Sequence, residues 1–92
     1  MTLSGVVNQW LARQEDRRNA GEIAAGTFAD YLGAGKLLVD VMGRQTPLSE
    51  LGPTASAKLQ RRIDRLYTNV PTTAVKTVTI CRMPFRWAYE ME

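Results

Sequence analysis

The stretch TFADYLGAGKLLVDVMG, residues 27–43, decides the fold, because its apolar side chains recur at the spacing of a helix and not of a strand. Its apolar positions are Phe28, Tyr31, Leu32, Leu38, Val41 and Met42. Gly33 and Gly35 stand inside this pattern, where each costs up to ~1 kcal/mol relative to alanine. We interpret both as tolerated helix glycines, with close approach of another helix or of a ligand as the alternative.

The ends of this helix are indicated by the residues that flank the apolar pattern. Thr27 and Asp30 form a T-x-x-D pair that resembles a capping box, in which the hydroxyl accepts from an amide of the first turn and the acid reaches back. Gly43 is typical of the position that follows a last turn, since it adopts the left-handed conformation without a steric penalty. The pattern therefore predicts a helix over 27–42.

Two further segments have one apolar face each. The first runs from Thr2 or Ser4 to Arg18 and stops at residues 19–21, Asn-Ala-Gly. The third runs over 54–67. The predicted buried side chains are Leu3, Val6, Val7, Trp10 and Leu11 in the first segment and Leu59, Ile63, Leu66 and Tyr67 in the third.

The fourth segment follows Pro71 and spans 72–90. Its predicted buried stripe is Val75, Val78, Cys81, Phe85, Ala88 and Tyr89, with Ile80, Met83 and Trp87 on the opposite side. Pro84 lies inside the segment, and an interior proline removes one backbone hydrogen bond, so a kink is expected near 80–84. A helix that is apolar on two sides is central in a bundle or is covered by something beyond the chain.

These four helices with short connections predict an all-α, compact four-helix bundle. The connector 44–53 contains two prolines, and its Leu48 and Leu51 are expected to reach the core. A length of 92 residues is that of a single domain, 1–92, with about 4–90 ordered.

Composition excludes several classes of function. The chain has no histidine and one cysteine, Cys81, which stands on an apolar stripe, so neither a zinc site nor a nucleophile with a histidine base can form. No catalytic residue and no cofactor is expected, and we do not predict an enzyme. A lone cysteine suits a reducing cytoplasm, and neither a signal peptide nor a membrane-spanning stretch is visible.

Positive charge is concentrated in the second half of the chain. Residues 1–50 carry a net charge of −1 and residues 51–92 a net charge of +4. Four of the cations, Lys58, Arg61, Arg62 and Arg65, stand at i, i+3, i+4 and i+7 and therefore share one helical face. Such a stripe is either an ordinary solvated face, partly offset by Asp64, or a surface that contacts phosphates.

A second anion-binding candidate lies where the fourth helix begins. Thr72, Thr73 and Lys76 surround a helix N-terminus, whose free amides and dipole favour an anion, and Thr79 follows Lys76 by almost one turn. The alternative is that one of the two threonines simply caps the helix.

The order of short motifs along the chain resembles the N-terminal core-binding, SAM-like domain of phage integrases and related tyrosine recombinases. The motifs are WLA at 10–12, TFADY at 27–31, PLSEL at 47–51, a basic third helix and FRWAYE at 85–90. The likeness covers about Val6–Glu90. Pro84 departs from the family pattern, in which the fourth helix runs uninterrupted.

The resemblance implies a domain that clamps double-stranded DNA at a recombination core site through phosphates and limited major-groove contacts. It points to Thr27, Asp30, Lys36, Thr72, Thr73, Lys76 and Arg82, to which the residue patterns add Lys58, Arg61, Arg62, Arg65 and Thr79. The implied partners are DNA, a C-terminal catalytic domain of the same protein and other recombinase protomers. The chain is then a domain excised from a longer protein.

A helical protein-interaction module is the alternative function, with Ile80, Met83 and Trp87 as the contact patch. A helix-turn-helix transcription factor fits less well, because the connections flanking the third helix are too long and rich in proline for that tight turn.

Overall fold

The computed structural model describes residues 1–91, and over that range the chain folds into an all-α bundle of four helices, as the sequence predicts. The helices are α1 (Leu3–Asn19), α2 (Ala25–Met42), α3 (Pro53–Leu66) and α4 (Pro71–Met91), and a 3₁₀ turn (Leu48–Glu50) lies between α2 and α3. The helix α2 packs against each of the other three, and α4 also packs against α1 and α3. None of these helices within residues 1–91 combines the length and apolarity that crossing a bilayer demands.

The predicted apolar face of α1 is confirmed. Four of its five residues, all except Leu11, are buried, and Leu11 packs at the edge of the core. The face continues one turn further through Gln14, which is only 5% exposed. Its side-chain oxygen accepts a hydrogen bond from Arg17 Nη1 at 2.9 Å, so the buried amide is not left without a partner. Hydropathy carried no signal for this position.

Helices α1 and α2 are in close contact at Gly35. A Cβ atom at this position would lie 3.0 Å from Val7 Cγ1 and 3.1 Å from Leu11 Cδ1, whereas a Cβ at Gly33 would meet nothing within 4 Å. The interpretation of tolerated glycines therefore holds for Gly33 and is wrong for Gly35, where the missing side chain is what lets α1 pack against α2.

Aromatic contacts extend the same interface toward the end of α1. The rings of Trp10 and Tyr31 have centroids 5.4 Å apart, and the guanidinium carbon of Arg18 lies 4.4 Å from the centroid of Phe28. The second contact is a cation–π interaction, which joins the last turn of α1 to the first turn of α2. These contacts add to the close packing at Gly35 in holding the two helices together.

The predicted capping box of α2 is wrong. The helix begins two residues earlier, after Ala24, which makes no side-chain capping bond, and Thr27 is already the third helical residue. The prediction of the other end is confirmed, since Gly43 closes α2 with a φ of 92°. A Cβ there would lie 2.8 Å from Thr46 Oγ1, so both conformation and space favour glycine.

The connector after α2 completes the N-terminus of α1. The amides of Leu3 and Ser4 donate to the carbonyls of Thr46 and Arg44 at 2.9 and 3.0 Å, and the amide of Gly5 donates to the Thr2 hydroxyl at 3.3 Å. These are first-turn amides that have no partner inside their own helix. The connector also packs Leu48 and Leu51 against the core, as predicted.

The buried faces of α3 and α4 differ from the predicted ones at three positions. Leu66, Val75 and Tyr89 are 55%, 68% and 81% exposed. The fully buried residues of α4 are Ile80, Cys81 and Pro84, with Met83 and Trp87 packed at the edge of the core. Both apolar sides of α4 therefore reach the core: the predicted stripe through Cys81, Val78 and Phe85, and the opposite side through Ile80.

The helix α4 continues through Pro84 to Met91. Pro84 cannot donate a hydrogen bond to the carbonyl of Ile80, but the helix runs on without interruption and the proline ring is buried. Proline thus serves as a core residue inside a continuous helix.

The two glycines of α2 provide a matched pair of substitutions. We expect Gly33→Ala to stabilise the protein by about 0.5–1 kcal/mol, because alanine lowers the conformational entropy of the unfolded chain. Gly35→Ala should be less stable than Gly33→Ala by at least ~1 kcal/mol, since its methyl group meets the stiff, buried Val7. Urea unfolding followed by circular dichroism measures both; equal free energies of unfolding would contradict close packing at Gly35.

Candidate nucleic-acid interface

The four cations predicted to share one face of α3 do so. At 100° per residue, Lys58, Arg61, Arg62 and Arg65 fall within about 100° of the helix circumference. They surround a groove of about 230 Å³ whose apolar base is Val41 of α2. Lys58, Arg61 and Arg65 are exposed and Arg62 is partly exposed. We call these four residues the α3 stripe.

Acidic residues offset only part of the charge of the α3 stripe. Arg62 Nη1 lies 3.1 Å from Asp40 Oδ2. Within residues 1–91, none of Lys58, Arg61 and Arg65 has an acidic oxygen within 4.0 Å. Asp64 projects from another side of α3 and accepts a hydrogen bond from Gln60 at 3.0 Å. The stripe therefore retains three uncompensated positive charges on an exposed surface.

A second polar set forms where the first turns of α2 meet α4. Lys76 Nζ donates to Asp30 Oδ2 at 2.9 Å, and the side chains of both residues are about half exposed, at 63% and 47%. Thr27 and Thr79 line the same groove beside this pair. The structure thus brings together four of the predicted site residues from helices that are far apart in sequence, but it neutralises the lysine with the aspartate.

The outward face of α4 carries two of the four remaining predicted residues, Thr72 and Arg82. It contains, at i, i+3, i+7, i+10 and i+14, Thr72, Val75, Thr79, Arg82 and Arg86, all of them exposed. The Thr79 hydroxyl donates to the carbonyl of Val75 at 3.1 Å, and Arg86 Nε lies 3.2 Å from Glu90 Oε1. Sequence analysis missed Val75 and Arg86 as members of this face, although continuing the spacing from Thr79 and Arg82 would have reached Arg86.

Thr73 and the beginning of α4 differ from the predictions. Thr73 is partly buried and turns toward α2 and α3, where it lines a groove with Leu66 and Lys76. Neither threonine caps the helix, because the first intrahelical bond runs from the Ala74 amide to the carbonyl of Val70 at 3.1 Å. Thr72 is left with an exposed side chain on the outward face.

Lys36 and the proposed protein-contact patch lie elsewhere. Lys36 is exposed, but it lines a groove between α1 and α2, apart from both polar sets. Ile80 is only 7% exposed, and Met83 and Trp87 pack partly against the core. The three residues predicted as a contact patch therefore belong to the interior and its edge.

The α3 stripe and the Asp30–Lys76 set are both attached to α2 through an aspartate. Asp40 binds Arg62 of α3 and Asp30 binds Lys76 of α4. The two aspartates are ten residues apart, which is about 15 Å along a helix. Helix α2 thereby fixes the distance between the two polar sets.

Comparison with known proteins adds no family assignment: no family model, curated protein or solved structure matches this chain.

The predicted core position of Cys81 is confirmed, since the residue is 2% exposed. Burial without a compensating charge disfavours the thiolate and raises the pKa of Cys81 from 9.0 to about 11. At neutral pH the sulfur is therefore both inaccessible and protonated, so it is a poor nucleophile.

The raised pKa of Cys81 predicts a loss of stability at alkaline pH. The buried, protonated thiol contributes fully to the free energy of unfolding below the unfolded-state pKa of 9.0. This contribution is lost as pH rises toward about 11, because the thiol of the unfolded chain ionises first. We expect the stability difference between the wild type and Cys81→Ala to shrink by on the order of 2–3 kcal/mol between about pH 8 and about pH 11. Urea unfolding of both proteins at each pH measures it, and a constant difference would contradict the prediction.

Proposed function

We propose that this domain binds duplex DNA, chiefly through the phosphate backbone. The observation that carries the proposal is the α3 stripe, in which three exposed cations on one helical face have no acidic partner among residues 1–91. Regularly placed cations on a rigid helix match a regularly spaced polyanion, and counterions released from the DNA contribute to the free energy of binding.

The outward face of α4 supports a second kind of contact. Arginine can bind guanine edges with two hydrogen bonds, and the methyl groups of threonine and valine suit the thymine methyl group. Arg82, Thr79 and Val75 are exposed on consecutive turns of this helix. In this proposal α4 supplies limited base recognition in the major groove, while the α3 stripe sets the position on the backbone.

The resemblance to the core-binding domain of tyrosine recombinases gives the proposal its biological setting. In that setting the chain is one half of a clamp around a recombination site, in the cytoplasm of a bacterium or of a phage-infected cell. Strand cleavage would belong to a catalytic domain of the same protein, and neighbouring protomers would assemble on the DNA. The four-helix architecture and the two polar sets attached to α2 are compatible with this role.

Removing the α3 stripe should weaken DNA binding and its dependence on salt. For the variant Lys58→Gln, Arg61→Gln, Arg65→Gln we expect a lower affinity for every duplex sequence. The slope of log K against log salt should become shallower by roughly one unit for each lost phosphate contact. Fluorescence anisotropy with a labelled duplex between about 50 and about 200 mM salt measures both quantities.

The matched control removes one lysine and two arginines that lie outside the proposed interface: Arg13→Gln, Lys36→Gln, Arg44→Gln. Both triple variants lower the net charge equally, so a general effect of charge would act on them alike. We expect the control to retain a slope close to that of the wild type. Equal losses in the two variants, or wild-type binding that ignores salt, would refute the role of the α3 stripe.

The Asp30–Lys76 pair provides a test in the opposite direction. Asp30→Asn removes a negative charge from the surface and frees Lys76 to contact phosphate, so the affinity for DNA should rise severalfold at low salt. Stability should change by less than about 1 kcal/mol, because both side chains of the pair are substantially exposed. The double variant Asp30→Asn, Lys76→Gln should lose the gain; an unchanged affinity in Asp30→Asn would exclude this set from the interface.

A further inference from the structure

A groove of about 630 Å³ runs between α1 and α2, on a part of the surface that the DNA proposal does not use. Its walls are aliphatic: Val7 and Leu11 come from α1, and Leu32 and Val39 come from α2. Gly35 lies at the base of the groove, where Val7 and Leu11 of α1 already pack closely against it. The polar residues Ser4 and Asn8 line the α1 edge.

Two cations without an acidic partner line this groove, Lys36 on α2 and Arg44 on the connector that follows α2. Lys36 and Arg44 both line it, both are exposed, and within residues 1–91 neither has an acidic oxygen within 4.0 Å. Asp40 lies between them but is already paired with Arg62 on the neighbouring helix. Arg44 follows Gly43, where the chain leaves α2, so the two cations come from different segments of the groove wall. The groove therefore combines an apolar base with positive charge at two points of its wall.

The length of the groove restricts what can occupy it. Its lining residues on α2 extend from Leu32 to Asp40, about 12 Å or somewhat more than two helical turns. That length suits a short helix lying in the groove, and helices bound in grooves insert apolar side chains at i, i+3 or i+4, and i+7. Acidic residues beside the apolar row of such a helix would face Lys36 and Arg44.

We propose that the α1–α2 groove binds an amphipathic helix of a partner protein, with an aliphatic row and acidic residues beside that row. The inference is independent of DNA binding, because it uses neither the α3 stripe nor the outward face of α4. The domain then has two recognition surfaces, one for a polyanion and one for an acidic amphipathic helix.

The first experiment uses two synthetic, fluorescein-labelled helical peptides of about four turns, long enough to cover the groove. Both carry leucines at i, i+3 and i+7; one has glutamates beside this row, and the other has lysines there. We expect the glutamate peptide to bind at least about tenfold more tightly by fluorescence anisotropy. Amide shifts in NMR spectra should cluster in residues 4–11 and 32–44.

A charge exchange supplies the decisive control. In the double variant Lys36→Glu, Arg44→Glu the preference between the two peptides should reverse, so that the lysine peptide binds more tightly than the glutamate peptide. Both positions are exposed, and an unchanged helical circular dichroism spectrum verifies that the variant is folded. The matched variant Arg13→Glu, Arg86→Glu alters net charge by the same amount and should keep the original preference.

Four outcomes would overturn the proposal. They are no binding of the glutamate peptide up to about millimolar concentration, equal affinity for both peptides, amide shifts outside the groove, and displacement of the peptide by duplex DNA. Concentration-dependent self-association with shifts in residues 32–44 would mean that a second copy of the chain covers the groove, which also contradicts a partner helix.

Discussion

The contact of α2 with all three other helices is the constraint on which the structure depends. A helix in this position must be apolar on most of its circumference and narrow where a neighbour crosses it. Leu38 is fully buried, and Ala34 and Gly35 are the small residues at the crossing. Because interiors are closely packed, the absence of a side chain at Gly35 is part of the interface with α1 and not a vacancy in α2.

The backbone amides at the beginning of α1 obtain their hydrogen-bond partners from the same arrangement. The connector that leaves α2 returns to the beginning of α1, where its carbonyls accept from amides that a helix leaves unpaired. Gly43 makes the sharp exit possible, and Leu48 and Leu51 hold the connector against the core. The same hydrogen bonds thus complete the N-terminus of α1 and order the connector between α2 and α3. The position of α3 depends on this connector, because α3 follows it directly.

The central position of α2 also decides where charge can lie. Its acidic side chains Asp30 and Asp40 stand at its borders with α4 and α3, and each binds a cation from the neighbouring helix. The other cations of α3 point away from the core and have no such partner among residues 1–91. Lys36 and Arg44 stand at the border with α1, where an apolar groove remains open. The two proposed recognition surfaces therefore follow from one feature, the exclusion of charge from the faces that α2 buries.

Much of the candidate site was accessible from local spacing. The α3 stripe needed only the helical period, because residues at i, i+3, i+4 and i+7 share a face whatever the rest of the chain does. The resemblance assigned Thr27, Asp30 and Lys76 to DNA contact, but that these residues meet Thr79 in one groove came from the structure, since no local pattern places two helices side by side. Only the structure shows the ion pair that neutralises Lys76, because a contact between residues 46 positions apart does not change the hydrophobic periodicity of either helix.

The sequence by itself determined that this chain is four helices and determined where most of them begin and end, because helical period, glycine and proline act within a few residues. It also determined the cationic face of α3 and the buried position of Cys81. Only the tertiary structure decided that both apolar sides of α4 reach the core, that Gly35 rather than Gly33 is a packing position, and that Leu66 and Val75 remain exposed. The physical reason is that burial is a property of two surfaces in contact, and a periodic pattern describes only one of them.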